Sequence, residues 1–373
     1  MHKHLLLRLL ALITALALIA AACGGDDDDG SLATDAAEEP SAEEPAEAAA
    51  DEPAAEPAGA EPTELDIALV LEGVVEEGWN TAMINALDRI TAEAPYGVEV
   101  SYDIVENVAY ADGERIGREL AGSGTYEMII MHSAFVDGTN AIAPDFPEIA
   151  FGLSGSGNDL AMGGNVFWID VFIHEPAYLM GIIAGSMTET NQISAVAGFP
   201  FANVNAPVHA FIDGALSVNP DITHSVTYIE SWFDAVTANE SAIAQIAEGA
   251  DMIYAERFGP VEAAANAEDV FAFGHFTDQS SLNPEIVLAS AVANWDPAVM
   301  EIIDAWWSFE TAGTPFAATP EQRIVFDSMV DGGSDITALS DSVPAEVVAL
   351  VEEARTAILA GDLVIPFDDT PFE

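Results

Sequence analysis

The sequence predicts an α/β protein of two lobes, each a parallel sheet flanked by helices, with a ligand site in the cleft between them. Three observations support this prediction. Short apolar segments alternate with longer helical patterns, the alternation occurs twice, and residues 65–367 are enough for two domains. Because parallel strands are joined by helices that cover both faces of their sheet, two such series imply two similar lobes.

The first thirty residues have the features of an export signal. Lys3 and Arg8 accompany the apolar run 5–22, which is slightly shorter than the roughly 20 residues that a membrane-spanning helix needs. Small alanines directly precede Cys23. We therefore expect residues 1–22 to be a cleaved lipoprotein signal peptide and Cys23 to carry the lipid. The alternatives are an ordinary secretory signal or an uncleaved anchor, and both also place the remaining chain outside the cytoplasm.

Residues 23–63 are predicted to be a disordered tether. They consist almost entirely of Ala, Glu, Asp and Pro, with no apolar period to bury. Their charges repel, so the segment should extend and hold the folded part away from the membrane. The four aspartates at 26–29 lack the alternating spacing and the turn glycine of a calcium loop, which favours a solvated charge run. Since Cys23 is the only cysteine, an internal disulfide is excluded.

The formal charge of −56, from 64 acidic and 8 basic residues, limits the kinds of molecule that the protein can bind. A surface this acidic repels nucleic acid and anionic lipid head groups. It also leaves few cations for a phosphate-rich ligand. We therefore expect no nucleic-acid partner.

The two lobes are predicted from two successive series of segments. The first series has strands at 65–71, 98–105, 127–132 and 148–153, with helices at 81–92, 112–121 and 134–143. The second has strands at 193–199, 224–230, 251–256 and 270–275, with helices around 175–187, 204–217, 235–248 and 261–267. We expect lobe 1 to comprise residues 64–173 plus 275–315, and lobe 2 to comprise residues 174–274 plus 316–367.

Aromatic residues recur just after the predicted strands. In open α/β sheets ligands bind beyond the carboxyl ends of the strands, so the two lobes should close on a small molecule there. Aromatic rings that enclose a flat heterocycle, with Asn and Asp contacting its edge, are one way to bind a base. The candidate ligand-binding residues are Trp79, Asn80, Phe135, Trp232, Asp234, Asp278 and Trp295.

Each candidate also has a structural alternative. A tryptophan or phenylalanine at a strand end can simply pack its loop onto the lobe, and Asn80 or Asp234 can cap the following helix. Arg257 is one of few cations in the folded part. It either balances an acidic cluster or binds an anionic ligand.

No pattern in the sequence indicates catalysis, a metal or a cofactor. His-Glu-x-x-His and phosphate-binding-loop motifs are absent, and the serines within 152–157 lack the spacing of a nucleophile elbow. The seven histidines show no ligand spacing, and the folded part contains no cysteine. We therefore expect a binding protein without enzymatic activity.

Several segments resemble the basic membrane protein family, exported lipoproteins with the type I periplasmic-binding-protein fold that bind purines or nucleosides for ABC importers. The turn Gly78-Trp79-Asn80 is similar to the family's Gly-Trp-Asn turn, and the resemblance runs from about residue 65 to 366. Further similar positions, in matching order, are 106–108 with Arg118, 175–185, 218–220, 231–234, Gly274 with Asp278 and Gln279, and 294–295. The resemblance implies that Trp79 stacks on the base and that Asn80 hydrogen-bonds its edge.

The chain departs from the family pattern at positions that affect the ligand. Glu76 and Glu77 replace a usual Asp-Gly, Met83 replaces a common His, and residues 256–258 replace a frequent His-Thr-Asp run. Phe276 replaces a polar residue, which weakens the case for binding a ribose. We expect a free purine-like base or another flat polar heterocycle, with a nucleoside as second choice.

The expected function is that of a solute-binding lipoprotein on the outer face of the cell membrane, or its periplasmic side, with an ABC permease as partner. The alternative is a lipid-anchored receptor for another small heterocyclic or polar ligand that does not take part in transport.

Overall fold

The computed structural model describes residues 61–133, 135–155, 164–316 and 324–372. The expected signal peptide, Cys23 and nearly all of the expected tether lie outside these ranges. Within the described ranges, no helix has both the length and the apolar character that a membrane crossing requires.

The described part of the chain contains two six-stranded sheets. The first is formed by β1 (Glu64–Leu71), β2 (Glu99–Val105), β3 (Met128–His132), β4 (Ala150–Ser154), β5 (Val166–Val171) and β11 (Ile324–Asp327). These strands are all parallel, in the order β11-β5-β4-β3-β1-β2. The second is formed by β6 (Gln192–Ala197), β7 (Thr223–Tyr228), β8 (Met252–Ala255), β9 (Phe271–Phe276), β10 (Val287–Ala293) and β12 (Ser334–Ile336).

The second sheet has the order β12-β10-β9-β8-β6-β7, and its edge strand β12 runs antiparallel to β10. The predicted two-lobed α/β fold is therefore confirmed. Central strands such as β3 and β4 are buried along their whole length, as expected of parallel strands covered on both faces. The edge strand β2, by contrast, has several exposed or half-buried residues.

Helices cover both sheets. Around the first lie α1 (Gly78–Glu93), α2 (Gly113–Ala121), α3 (Val136–Ile142) and α8 (Asp296–Ala312). Around the second lie α4 (His174–Met187), α5 (Ala202–Val218), α6 (Ala235–Ala247), α7 (Pro260–Ala265) and α9 (Ala345–Leu359). Helices α4 and α5 approach so closely that a Cβ on Gly181 would lie 2.0 Å from the carbonyl oxygen of Phe211. Only glycine fits at that crossing.

The lobe boundaries differ from those expected. Strand β10 falls within 275–315, which we assigned to lobe 1, but it belongs to the second sheet. Strand β11 falls within 316–367, which we assigned to lobe 2, but it pairs with β5 in the first sheet. The chain therefore passes between the sheets at 172–173, 294–295 and 328–333. The expected boundaries are wrong there because four strands, β5, β10, β11 and β12, were not recognised in the sequence.

Hydrogen bonds connect these three crossing segments. The amide of Phe172 donates to the carbonyl of Asp327 (2.8 Å), and the amide of Asn294 donates to the carbonyl of Gly333 (2.8 Å). The Ser334 hydroxyl donates to the carbonyl of Phe172 (2.9 Å). All three crossings are therefore held side by side, at one edge of the cleft that the two sheets form.

Candidate functional site

A cavity of about 460 Å³ lies between the loops at the carboxyl ends of the two sets of strands. Its volume is typical of a small-molecule site. The first lobe contributes Glu72, Glu77, Trp79, Asn80, Tyr110 and Ser133. The second contributes Phe201, Asn203, Trp232, Glu256, Arg257 and Phe276. The cavity thus occupies the position that the sequence predicts for a ligand.

Trp79 lines the cavity, but most of its ring is in contact with protein. It is only 8 % exposed. Its indole stacks on His132, with ring centroids 5.0 Å apart and 16° between the planes. Trp295 and Phe276 meet it at steep angles, with centroid separations of 4.8 and 5.1 Å. Little of the Trp79 ring is therefore free to stack on a ligand.

His132 holds Trp79 in this position. Burial lowers the pKa of His132 to about 3, so the imidazole is neutral at physiological pH. Its Nε2 lies 3.1 Å from the Trp79 carbonyl, which can only accept, so Nε2 donates. Nδ1 then accepts from the Ser154 hydroxyl at 2.9 Å. Nothing in the sequence distinguished this lone histidine at the end of an apolar strand.

Asn80 is buried and also lines the cavity. Its side-chain amide donates to the carbonyl of Val74 at 2.8 Å, which stabilises the loop between β1 and α1. The second amide hydrogen and Oδ1 are the groups that remain for a ligand. Asn80 therefore supports the loop and faces the cavity at the same time.

Four of the predicted site residues do not line the cavity. Phe135 is buried in the first lobe beneath Tyr110, and Trp295 is buried behind Trp79. Asp234 caps α6 by accepting from the Thr237 amide at 3.0 Å. Asp278 is exposed and accepts from the Ser280 amide at 2.9 Å. At these positions the side chain packs in the protein interior or accepts a hydrogen bond from the nearby backbone, and it does not face the cavity.

The open aromatic surface of the cavity lies mainly on the second lobe. We call Phe199, Phe201 and Trp232 the lobe-2 aromatic cluster; the ring centroids of Phe199 and Phe201 lie 4.8 and 5.7 Å from that of Trp232. Phe201 is 56 % exposed, and Trp232 is partly exposed. Our candidate residues included Trp232 but not Phe201, although the segment 199–201, Phe-Pro-Phe, directly follows a predicted strand.

Tyr110 contributes a ring from the first lobe. Its hydroxyl lies 3.4 Å from Ser133 Oγ and also interacts with the Trp232 side chain. Our candidate residues did not include Tyr110, which lies five residues beyond the end of β2. Together with the lobe-2 aromatic cluster, Tyr110 gives the cavity aromatic groups from both lobes.

A buried ion-pair cluster joins the lobes beside the cavity. From the second lobe, Arg257 Nη1 reaches Glu77 Oε1 of the first lobe at 3.0 Å. Arg257 Nη2 and Nε donate to the carboxylate of Glu256 at 2.6 and 2.8 Å. Nη1 also donates to the Trp232 carbonyl at 2.9 Å, and the guanidinium lies 5.4 Å from the Trp232 ring. Arg257 therefore balances an acidic cluster, one of the two roles considered for it.

The electrostatics of this cluster follow from burial. Burial opposes the charge on Arg257, but the carboxylates of Glu256 and Glu77 outweigh it and raise the pKa of the guanidinium. Burial raises the pKa of Glu77 and of Glu256, and Arg257 partly offsets both shifts. With all three ionised, the cluster carries a net charge of −1. Glu72, five residues before Glu77 in the chain, adds a further carboxylate to the cavity.

No group of three or more His, Cys, Asp or Glu side chains in the described ranges is arranged to hold a metal ion. The cavity offers aromatic faces, amide groups and carboxylates. Such groups bind and orient a flat, polar small molecule.

A family model, sequence relatives and solved structures indicate the same class of protein. Residues 65–312, roughly two thirds of the chain, match the family model described as Bmp, ABC transporter substrate-binding protein PnrA-like. The purine-binding protein BAB2_0673 of Brucella abortus is 26 % identical over 274 residues, covering 72 % of this chain and 73 % of that protein. TsgA13 of Haloferax volcanii, provisionally named an ABC transporter glucose-binding protein, is 31 % identical over 251 residues.

The match to TsgA13 spans 64 % of this chain and 62 % of that relative's length. Among solved structures, an ABC transporter solute-binding protein from Conexibacter woesei superposes with a TM-score of 0.63 at 21 % identity. That superposition covers 81 % of this chain and 98 % of the other, which shows a common fold. The chain belongs to the Bmp family of ABC transporter substrate-binding proteins, which bind solutes and are not enzymes.

Proposed function

We propose that this protein binds a purine base or a purine nucleoside outside the cytoplasm and delivers it to an ABC permease. The observation that carries the proposal is the cavity at the carboxyl ends of the strands, which both aromatic rings and amide groups line. Aromatic faces bind the plane of a heterocycle, and amides recognise its edge. The similarity to a purine-binding relative supports the same ligand class.

The ligand ring stacks on the lobe-2 aromatic cluster in this proposal, with Trp232 as the principal contact. Trp232 is partly exposed, whereas Trp79 is already enclosed by His132, Trp295 and Phe276. Asn80 contacts the edge of the ligand through Oδ1 or its second N–H. The role that the family resemblance implied for Trp79 thus passes to Trp232.

Delivery requires that the lobes close around the ligand and open at the permease. Residues 172–173, 294–295 and 328–333 are the segments about which they would turn, since these alone connect the sheets in the described part of the chain. The Arg257–Glu77 ion pair spans the cleft and would form on closure.

Membrane attachment through a lipid on Cys23 is a separate part of the proposal. It rests on the sequence, because Cys23 lies outside the described residues. Mass spectrometry of the protein extracted from its native membrane should detect a diacylglycerol-modified cysteine at the mature N-terminus. Cys23→Ser should release the protein from the membrane fraction, and an unchanged distribution of that variant would contradict lipidation.

The ligand is tested by isothermal titration of the purified protein at low and high salt. The panel contains adenine, guanine, hypoxanthine, xanthine, adenosine, guanosine and inosine, together with glucose because of the name of one relative. Micromolar or tighter binding of a purine is the expected result. Binding of glucose but of no purine, by folded protein, would contradict the proposal.

A further inference from the structure

We propose that Glu72 makes this cleft selective for purines that present adjacent N–H donors, and that the cleft rejects anionic ligands. The preferred ligand is then a 2-amino-6-oxopurine, as base or nucleoside, over the 6-oxopurine that lacks the amino group. This inference rests on the function proposed above and names the ligand within that class.

One cation, Arg257, lines the cavity in the described part of the chain. Arg257 has its donors directed at Glu77, Glu256 and the carbonyl of Trp232, at distances from 2.6 to 3.0 Å. The guanidinium is buried and shared between two carboxylates. An anionic ligand would therefore meet acidic groups whose charge exceeds that of the single arginine. Phosphorylated or carboxylated ligands are disfavoured by this balance.

Glu72 lies directly after β1, at the carboxyl end of a central strand, and lines the cavity. In the described part of the chain its carboxylate has neither a hydrogen-bond donor nor a cation within contact distance. Its surroundings are acidic, because Glu77 is close enough for the two carboxylates to repel. Partial burial also raises the pKa of Glu72.

Two adjacent N–H donors on a ligand would compensate the Glu72 carboxylate. A carboxylate has two oxygens that accept hydrogen bonds side by side, and it pairs well with two adjacent donors. A 2-amino-6-oxopurine offers such a pair in its ring N–H and its exocyclic amino group. The analogue without the amino group leaves one carboxylate oxygen without a partner. Glu72 is half-buried, so this oxygen is only partly solvated, and binding sites discriminate against ligands that leave such a group unpaired.

The position of Glu72 in the cleft suits this role. The lobe-2 aromatic cluster would hold the plane of the ring, while Glu72 approaches from the first lobe. Tyr110 lies on the same side as Glu72, close enough for the Glu72 charge to act on its hydroxyl. The second lobe would thus recognise the plane of the ligand ring, and the first lobe would recognise its edge.

The test compares guanosine with inosine, which differ only in the 2-amino group, and guanine with hypoxanthine. The full chain, purified in detergent, is titrated as wild type, Glu72→Gln and Glu76→Gln. Glu76 is the matched control because it lies on the same loop and carries the same charge, but is exposed and outside the cavity. Guanosine 5′-monophosphate tests the exclusion of anions, and thermal melts report folding of each variant.

Wild type should prefer the amino-bearing member of each pair by roughly tenfold, the effect of one charge-assisted hydrogen bond. In Glu72→Gln the preference should fall to within about threefold, because a neutral amide accepts through one oxygen only. Glu76→Gln should keep the wild-type ratio. The monophosphate should show no measurable binding to wild type.

Equal binding of guanosine and inosine by wild type would overturn the inference and leave the proposed function intact. So would a preference that persists in Glu72→Gln, or tight binding of the monophosphate. Silence across all purines from folded wild type would instead overturn the proposed function, and the inference with it.

Discussion

Trp79 and Trp232 both follow strands at the cleft, yet the structure uses them differently. Trp79 is enclosed by three aromatic neighbours from its own and the opposite lobe. Trp232 shares the cavity surface with Phe201, which is largely exposed. An aromatic residue at a strand end is therefore available to a ligand only if its neighbours have not already covered its faces. Sequence position alone does not reveal this.

The two lobes also differ in the groups that they contribute to the cavity. Both lobes present aromatic rings, a carboxylate and an amide to the cavity, but the most exposed ring, Phe201, and the cation, Arg257, belong to the second. The ion pair of Arg257 with Glu77 is one of the contacts between them, beside the packing of Trp79 on Phe276. Three variants test how the two lobes share the cavity and its ion pair, and a fourth tests a segment that crosses between them. They follow in order of decreasing expected effect.

Arg257→Met should have the largest effect. It leaves Glu77 and Glu256 buried without a cation, and breaking a buried pair in this way costs about 3–5 kcal/mol. We expect a clearly lower Tm in thermal denaturation and loss of measurable ligand binding. Arg355→Met is the control, because its partner Asp335 is partly exposed and such pairs contribute about 1 kcal/mol or less. Equal, small effects of the two variants would show that the pair between the lobes is not needed.

Trp79→Ala should mainly lower stability. Removing a buried tryptophan costs about 3–5 kcal/mol, which corresponds to a fall in Tm of roughly 10 °C for a protein of this size. The measurement is thermal denaturation followed by circular dichroism. Trp307→Ala serves as control, since Trp307 is half-buried and stacks on exposed Tyr96 away from the cavity. If Trp79→Ala leaves Tm unchanged but abolishes binding, the ring is a ligand contact after all.

Trp232→Ala should mainly lower affinity. Loss of a stacked ring costs roughly 1 kcal/mol or more beyond the buried area, so Kd should rise about tenfold. Because Trp232 is partly exposed, Tm should fall much less than in Trp79→Ala. Titration with the tightest purine of the panel, alongside Trp307→Ala, measures the difference. An unchanged Kd would remove Trp232 from the binding surface.

Asp327→Asn tests the edge of the cleft where the chain crosses between lobes. Burial raises the pKa of Asp327 to about 6, and nearby Asp331 and Glu301 add to the shift. The folded state therefore binds this proton more tightly than the unfolded chain. Its contribution to stability is complete below the ordinary aspartate pKa near 3.8 and is lost as pH rises through about 6.

At pH 8 Asp327→Asn should exceed wild type in Tm by roughly 2–4 °C, which corresponds to about 1 kcal/mol after allowance for solvent screening. Near pH 4 the two proteins should have the same Tm. The exposed Asp341→Asn is the control for loss of one charge. A Tm difference that does not depend on pH would contradict this account.

Much of the fold could be predicted from the sequence because its central strands are continuous apolar runs between helical segments. Strands β5 and β10 were missed for different reasons. The run 166–171 follows a glycine-rich stretch with no helical pattern before it, and 287–293 consists mostly of small residues whose periodicity does not distinguish a strand from a buried helix. Without them, the crossing points after residue 275 could not be located.

The site was predicted less completely. Its position, and the presence there of Trp79, Asn80 and Trp232, followed from the strand ends and the family resemblance. The partner of Arg257 could not be identified, because Glu77 is 180 residues distant in sequence and on the other lobe. The enclosure of Trp79 could not be predicted either, because His132 and Trp295 come from segments distant in the sequence.

The unequal environments of the six tryptophans also provide an optical signal. Trp79, Trp168, Trp295 and Trp306 are buried, and Trp307 is stacked on a tyrosine outside the cavity. Trp232 alone is both partly exposed and in the cavity wall. Ligand binding should therefore change the intrinsic emission chiefly through Trp232, with a smaller contribution from the more enclosed Trp79, so the natural protein already carries a fluorescent reporter for the contents of its cleft.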